Sequence, residues 1–272
     1  MVKPNFLIIG TQKGGTESMK RHLSKHPDIF VNQKELHYFS EDNSYKNGNK
    51  EYEKKLNAGL KDYINWVKNS KNMNKKPKII GEKTPEYMYN KTALERIYKY
   101  NPKIKLIVIL REPISRAYSQ WNMYQSKSNH EYKNMKFKDM VNKYMKNINL
   151  NFTKPDRFNL IKRGIYAVQL ANIYEIFPKK NVLILISEDY KNKPLKELNK
   201  ICKFIEASSF KNIKNANYKN NVHKKTYKIP ISKSEFTKLY LFYREYNEVL
   251  YKILGKPIKE WEDVYKNFFL KI

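Results

Sequence analysis

Residues 6–18, Phe6-Leu7-Ile8-Ile9-Gly10-Thr11-Gln12-Lys13-Gly14-Gly15-Thr16-Glu17-Ser18, decide the fold. The apolar run before Gly10 reads as a strand buried on both faces, the form a strand takes in a parallel sheet covered by helices. The chain then turns through Gly14 and Gly15 and enters a helix at Thr16. At such a junction the first N–H groups of the helix have no partner within it, and the helix dipole adds positive potential. Together they form a P-loop-like seat for a phosphate-type anion, with Thr16 and Ser18 as hydroxyl donors. Loops that bind ATP or GTP read G-x-x-x-x-G-K-[ST]. Counted from Gly10, Gly15 fills the second glycine position, but Thr16 follows it and the loop lysine, Lys13, precedes the glycines. The Lys–Ser/Thr pair for a β/γ-phosphate and its magnesium is therefore missing, which argues against a nucleotide kinase or NTPase.

Working outward, short aliphatic runs alternate with amphipathic stretches, the pattern of an α/β protein with a mostly parallel central sheet flanked by helices. Strands are expected at Phe6–Gly10, Lys78–Gly81, Ile104–Leu110 and Val182–Ile186, with a short one at Ile29–Val31. Helices are expected at Thr16–Lys25, Tyr52–Ser70, Thr92–Tyr100, Ile114–Ser126, Ile161–Phe177, Leu195–Ile205 and, as the last element, Glu235–Leu254. Pro113 suits a first helical turn and Gly255 a helix end. Residues 147–158 and 208–230 read as irregular. No repeat or linker is visible, so 1–272 is expected to be a single domain.

The chain carries 55 Lys+Arg against 26 Asp+Glu, a net charge of +29 that favours anionic partners. The excess is mostly Lys beside abundant Asn, Ile and Tyr, as compositional drift in an AT-rich genome would leave it. The basic residues are scattered and no nucleic-acid reader motif appears, which sets aside specific nucleic-acid binding. One cysteine, Cys202, excludes an intramolecular disulfide and a cysteine-rich metal site. The run Phe6-Leu7-Ile8-Ile9 is too short for a signal core or a membrane span, so the chain is expected to be soluble and cytoplasmic.

A second constellation makes physical sense alone. The strand ending at Leu110 delivers Arg111 to the carboxyl edge of the sheet, where ligands bind in open α/β folds. Ser119 lies about two turns along the helix that Pro113 opens. An Arg fork and a Ser hydroxyl suit a phosphate monoester.

The loop Gly10–Ser18 resembles the 5′-phosphosulfate loop of sulfotransferases that use 3′-phosphoadenosine 5′-phosphosulfate (PAPS). It is most similar to the heparan sulfate N- and 3-O-sulfotransferase branch. Further stretches resemble that branch in order: His26-Pro27-Asp28, Lys34-Glu35-Leu36-His37-Tyr38-Phe39, Gly81-Glu82-Lys83-Thr84-Pro85-Glu86-Tyr87, and Ile107 through Arg111 to Ser119. Weaker likeness continues through Arg163-Gly164-Ile165-Tyr166 and Phe177-Pro178 to Trp261.

The resemblance implies transfer of a sulfuryl group from PAPS to a hydroxyl or amine of an acceptor, with a carbohydrate as the expected acceptor and no metal required. It implies that Lys13, Gly14, Gly15, Thr16, Glu17 and Ser18 hold the phosphosulfate, and Arg111 and Ser119 the 3′-phosphate. Lys13 falls on the leaving oxygen, Glu35 on the acceptor proton, and Lys83 near the sulfonate. His37 is the rival base, since a histidine serves in the related cytosolic branch. Glu82 and Tyr87 are weaker acceptor-side candidates. Arg163 and Tyr166 are expected at the nucleotide. The branch closes over the donor with a K-G-R-x-Y-P-like stretch; Lys225-Thr226-Tyr227-Lys228-Ile229-Pro230 lacks its Gly and Arg, leaving Lys224 and Lys225 to supply charge.

Overall fold

The structure, a computed structural model, describes residues 2–69, 77–126, 132–146, 148–153, 156, 158–213 and 230–270. Five strands, β1 (Phe6–Gly10), β2 (Ile29–Val31), β3 (Ile79–Lys83), β4 (Lys105–Leu110) and β5 (Val182–Ile186), form one sheet in the order β2-β3-β1-β4-β5. Every pairing is parallel, with Phe6 opposite Gly81 on one side and Lys105 on the other. The α/β class and the parallel sheet expected from the apolar runs are what the structure has.

The helices are α1 (Thr16–Leu23), α2 (Asp42–Lys46), α3 (Asn49–Asn69), α4 (Lys91–Tyr100), α5 (Pro113–Gln125), α6 (Phe137–Met145), α7 (Tyr166–Ile176), α8 (Ser187–Asn192), α9 (Pro194–Phe204), α10 (Lys233–Leu254) and α11 (Lys259–Leu270). They cover both faces of the sheet, which explains the unbroken apolar strands. Leu7 and Ile9 of β1 pack with Ile97 of α4, Leu170 of α7, Leu239 of α10 and Trp261 of α11. Phe6 and Ile8 point the other way, to Met19 and Leu23 of α1 and Leu198, Ile201 and Cys202 of α9. Cys202 is a buried core thiol, its ionisation pushed up to about 11 by burial. Among the described residues no helix is long and apolar enough to cross a membrane.

Three departures from the sequence reading have local causes. The helix expected over 161–177 is broken: a 3-10 turn at Lys162–Gly164 precedes α7. Gly164 passes so close to α10 that a Cβ there would lie 2.6 Å from the Tyr243 hydroxyl. α10 starts with a Ser232–Glu235 capping box and stops at Gly255 in the left-handed conformation, but it is not the last element, because α11 follows. Finally α6 exists, with Phe137, Met140, Val141 and Tyr144 buried at helical spacing.

Candidate active site

In strand order 2-3-1-4-5 the chain leaves β1 toward one edge of the sheet and later returns to add β4 on the other side of β1. The crevice at the carboxyl ends of β1 and β4 is the switch point where open α/β sheets bind ligands. What the chain brings there falls into two parts, named for the partners the resemblance leads one to expect: a donor side and an acceptor side.

The donor side is built from backbone. Gly15 is the N-cap of α1 at φ 113°, a left-handed value suited to glycine, and no side chain caps the helix. The uncapped N–H groups of the first turn are thus available to an anion. A Cβ on Gly14 would stand 2.6 Å from the Ile109 carbonyl oxygen, so the loop lies directly on β4. Arg111 Nη1 donates to the Lys13 carbonyl at 3.2 Å, tying the end of β4 to the loop. Thr16 and Ser18 are buried in the first turn of α1, and Ser119 is buried on α5. These residues fit a phosphate-bearing nucleotide: an open helix start with two hydroxyls has a guanidinium bonded to its loop, and Ser119 lies on the helix that follows Arg111.

Behind Arg111 stands a buried brace. Glu112 caps α5, accepting from Ile114 N at 2.8 Å and Ser115 N at 2.6 Å. The Tyr265 hydroxyl of α11 donates to Glu112 Oε1 at 3.0 Å. Glu188 accepts from Glu112 N at 3.1 Å and from Trp261 Nε1 at 3.1 Å. Tyr166, expected at the nucleotide, is buried and donates its hydroxyl to the Arg111 carbonyl at 2.8 Å.

The acceptor side is a chain of ionised side chains. Lys83, at the tip of β3, reaches Glu35 Oε1 at 2.6 Å and Glu17 Oε2 at 3.0 Å. Glu17 also meets Lys20 at 3.0 Å and Arg21 at 3.2 Å, so its carboxylate is engaged by cations and only its backbone N–H is suited to the donor anion. Glu35 Oε2 lies 3.4 Å from His37 Nε2, and His37 Nδ1 lies 3.1 Å from Glu86 Oε2. His37 sits at φ 52°, and its N–H faces the Thr84 hydroxyl at 3.5 Å. Arg163 is buried with its guanidinium 4.3 Å over the Tyr89 ring and 4.0 Å from Glu86 Oε1, against the His37 end of this chain.

Each group shifts for a physical reason. Burial alone would raise the Glu35 carboxyl, but His37 and Lys83 outweigh it and hold it at about 2. His37, hydrogen-bonded first to Glu35 and then to Glu86, is pushed up to about 9 against its own burial. Burial opposes the Lys83 charge, yet Glu35 and Glu17 raise the ammonium. Glu82 is fully buried, which lifts it to about 7, and it accepts from Thr84, Leu36 N, Tyr52 and Tyr87. Glu82 and Tyr87 therefore form a buried scaffold under the site.

The structure joins Glu35, His37, Lys83 and Glu17 into one cluster, and Lys13 and Arg111 into a neighbouring contact. Lys224 and Lys225 lie outside the described residues. Sequence reading missed Glu86 as a site residue, although it falls within a quoted motif, and it missed Tyr265; neither has a signal linking it to a partner 49 or 153 positions away.

Comparison with known proteins gives consistent results. The sulfotransferase domain family matches residues 3–243. Mouse heparan sulfate glucosamine 3-O-sulfotransferase 5 is 26% identical over 94% of this chain and 73% of its own length. Human heparan sulfate glucosamine 3-O-sulfotransferase 3B1 is 28% identical over 74% of this chain and 46% of its own. The crystal structure of a sulfotransferase from Alicyclobacillus acidocaldarius superposes with a TM-score of 0.74 at 19% identity, covering 96% of this chain and all (100%) of that one, a likeness of fold.

Proposed function

The chain belongs to the sulfotransferase domain family, and from that premise we propose that it transfers the sulfuryl group of PAPS to a hydroxyl, or an amine, of a glycan. The observation that carries this reading is Lys83, held 2.6 Å from Glu35 and 3.0 Å from Glu17 at the edge of the uncapped loop. A cation and a carboxylate side by side, next to an anion seat, are what an in-line displacement at sulfur needs.

The donor substrate supplies a sulfuryl group on a phosphate leaving group. The α1 N-terminus and Lys13 hold that anion and offset the charge on the leaving oxygen, while Arg111 and Ser119 take the 3′-phosphate. Glu35 accepts the acceptor proton as the acceptor oxygen bonds to sulfur, and Lys83 adds positive charge where the equatorial oxygens carry negative. His37 is unsuited to be the base: both ring nitrogens face carboxylates, and the ring stays protonated to about pH 9. Glu35 is ionised at neutral pH but weakly basic while Lys83 grips it. An anion that draws Lys83 away removes part of that depression, so donor binding strengthens the base. A glycan acceptor is supported by relatives named for heparan sulfate glucosamine.

Calorimetric titration with 3′-phosphoadenosine 5′-phosphate, without magnesium and with ATP and ADP as controls, tests the donor. Tight binding that requires the 3′-phosphate is expected, followed by incorporation of label from PAPS into heparan-type glycans. A preference for magnesium–ATP would overturn the reading and restore the kinase alternative.

A further inference from the structure

His37 lies between two carboxylates from different parts of the chain. Glu35 belongs to the same segment after β2, whereas Glu86 comes from the turn between β3 and α4. Glu86 is itself buried, and behind it stands Arg163, whose guanidinium is fully enclosed between Glu86 and the Tyr89 ring. A carboxylate accepts hydrogen bonds and donates none when ionised, so two such partners leave the imidazole one consistent state, with a proton on each nitrogen. The usual ambiguity of the histidine tautomer does not arise with this pair of partners.

We propose that Glu86 is a positioning residue for the transfer: backed by Arg163, its carboxylate fixes the His37 ring and turns the Nε2–H onto Glu35. The inference rests on Glu35 as the acceptor-side base. Glu35 then has one oxygen toward Lys83 and the other toward His37, so its orientation is set from both sides. The other groups near His37 are accounted for. Lys83 and buried Glu82 lie on β3 and the Thr84 hydroxyl just beyond it, Arg163 precedes α7, and Glu17 of α1 acts through Lys83. Of these the carboxylates favour the imidazolium and the two cations oppose it, and the carboxylates in direct contact prevail.

The test is the titration of His37 by NMR in the free protein, its ring signals assigned among the five histidines by their loss in His37→Gln. In the wild type His37 is expected to remain protonated to about pH 9. In Glu86→Gln, which keeps the shape and removes the charge, the midpoint should fall by at least about one unit. The pH profile of kcat should follow it, the deficit of Glu86→Gln relative to wild type deepening to about tenfold once its His37 has lost the proton. A wild-type midpoint near 6.5, or one that Glu86→Gln leaves in place, would overturn the proposal, and the wild-type measurement stands even if the variant does not fold. Because the titration needs neither donor nor acceptor, failure of PAPS turnover would bear on the proposed function alone.

Discussion

The donor and acceptor sides of the crevice are made of different material. The donor side is backbone: a left-handed Gly15, a Gly14 pressed onto β4, the open start of α1, and Arg111 bonded to the Lys13 carbonyl. The acceptor side is a line of full charges, Glu17, Lys83, Glu35, His37, Glu86 and Arg163, each within 4.0 Å of the next. Backbone dipoles are fixed by the fold, so changing a side chain of the loop leaves the backbone seat in place. A row of alternating charges is a balance, and removing one member shifts the proton affinity of its neighbours.

Substitutions that separate the two sides sharpen this contrast. The largest effect is expected from Lys13→Ala, which should abolish turnover with circular dichroism unchanged, because it removes the cation from the loop without touching the backbone seat. Glu35→Gln should lower kcat by roughly 10²–10⁴-fold while leaving affinity for 3′-phosphoadenosine 5′-phosphate nearly unchanged. A matching loss of nucleotide affinity would show that the sides are not independent.

Tyr265→Phe tests the brace behind Arg111. It takes one donor from the buried Glu112 carboxylate, and a loss of about 1–2 kcal/mol in urea unfolding is expected, with a several-fold weaker nucleotide affinity. Unchanged affinity would confine α11 to a structural role. The smallest effect is pH-dependent. His37 is raised from 6.5 to about 9 in the folded protein. Its ion pairs therefore contribute stability that is fully present below about pH 6.5 and lost as pH rises through 9. The urea midpoint of wild type relative to His37→Gln should shrink over that window, and a constant difference would mean that the ring carries no such linkage.

How much of this was legible can be seen residue by residue. β1 and β5 have the bounds the apolar runs predict, since burial on both faces leaves a continuous apolar signature. β3 runs two residues beyond its apolar stretch, through Glu82 and Lys83. Polar residues look like a strand end in sequence, and it is the donors around the Glu82 carboxylate, Thr84, Leu36 N, Tyr52 and Tyr87, that make its burial tolerable. α6 had its signal in the spacing of Phe137, Met140, Val141 and Tyr144, whereas α11 lies beyond Gly255, where the last helix was expected to stop. The resemblance placed Glu35, His37 and Lys83 at the site but not Glu86, because its role depends on where the His37 ring turns.

The sequence by itself determined the parallel α/β sheet, the strand–turn–helix junction at residues 6–18 and the sulfotransferase family. These are carried by contiguous residues whose backbone geometry and burial follow from local chemistry. Tertiary structure alone decided which side chains share protons: that Glu17 pairs with Lys83, that Glu86 meets His37, and that Tyr265 reaches Glu112. Electrostatic coupling depends on distances of a few ångströms between groups far apart in the chain, and no spacing along the sequence encodes them.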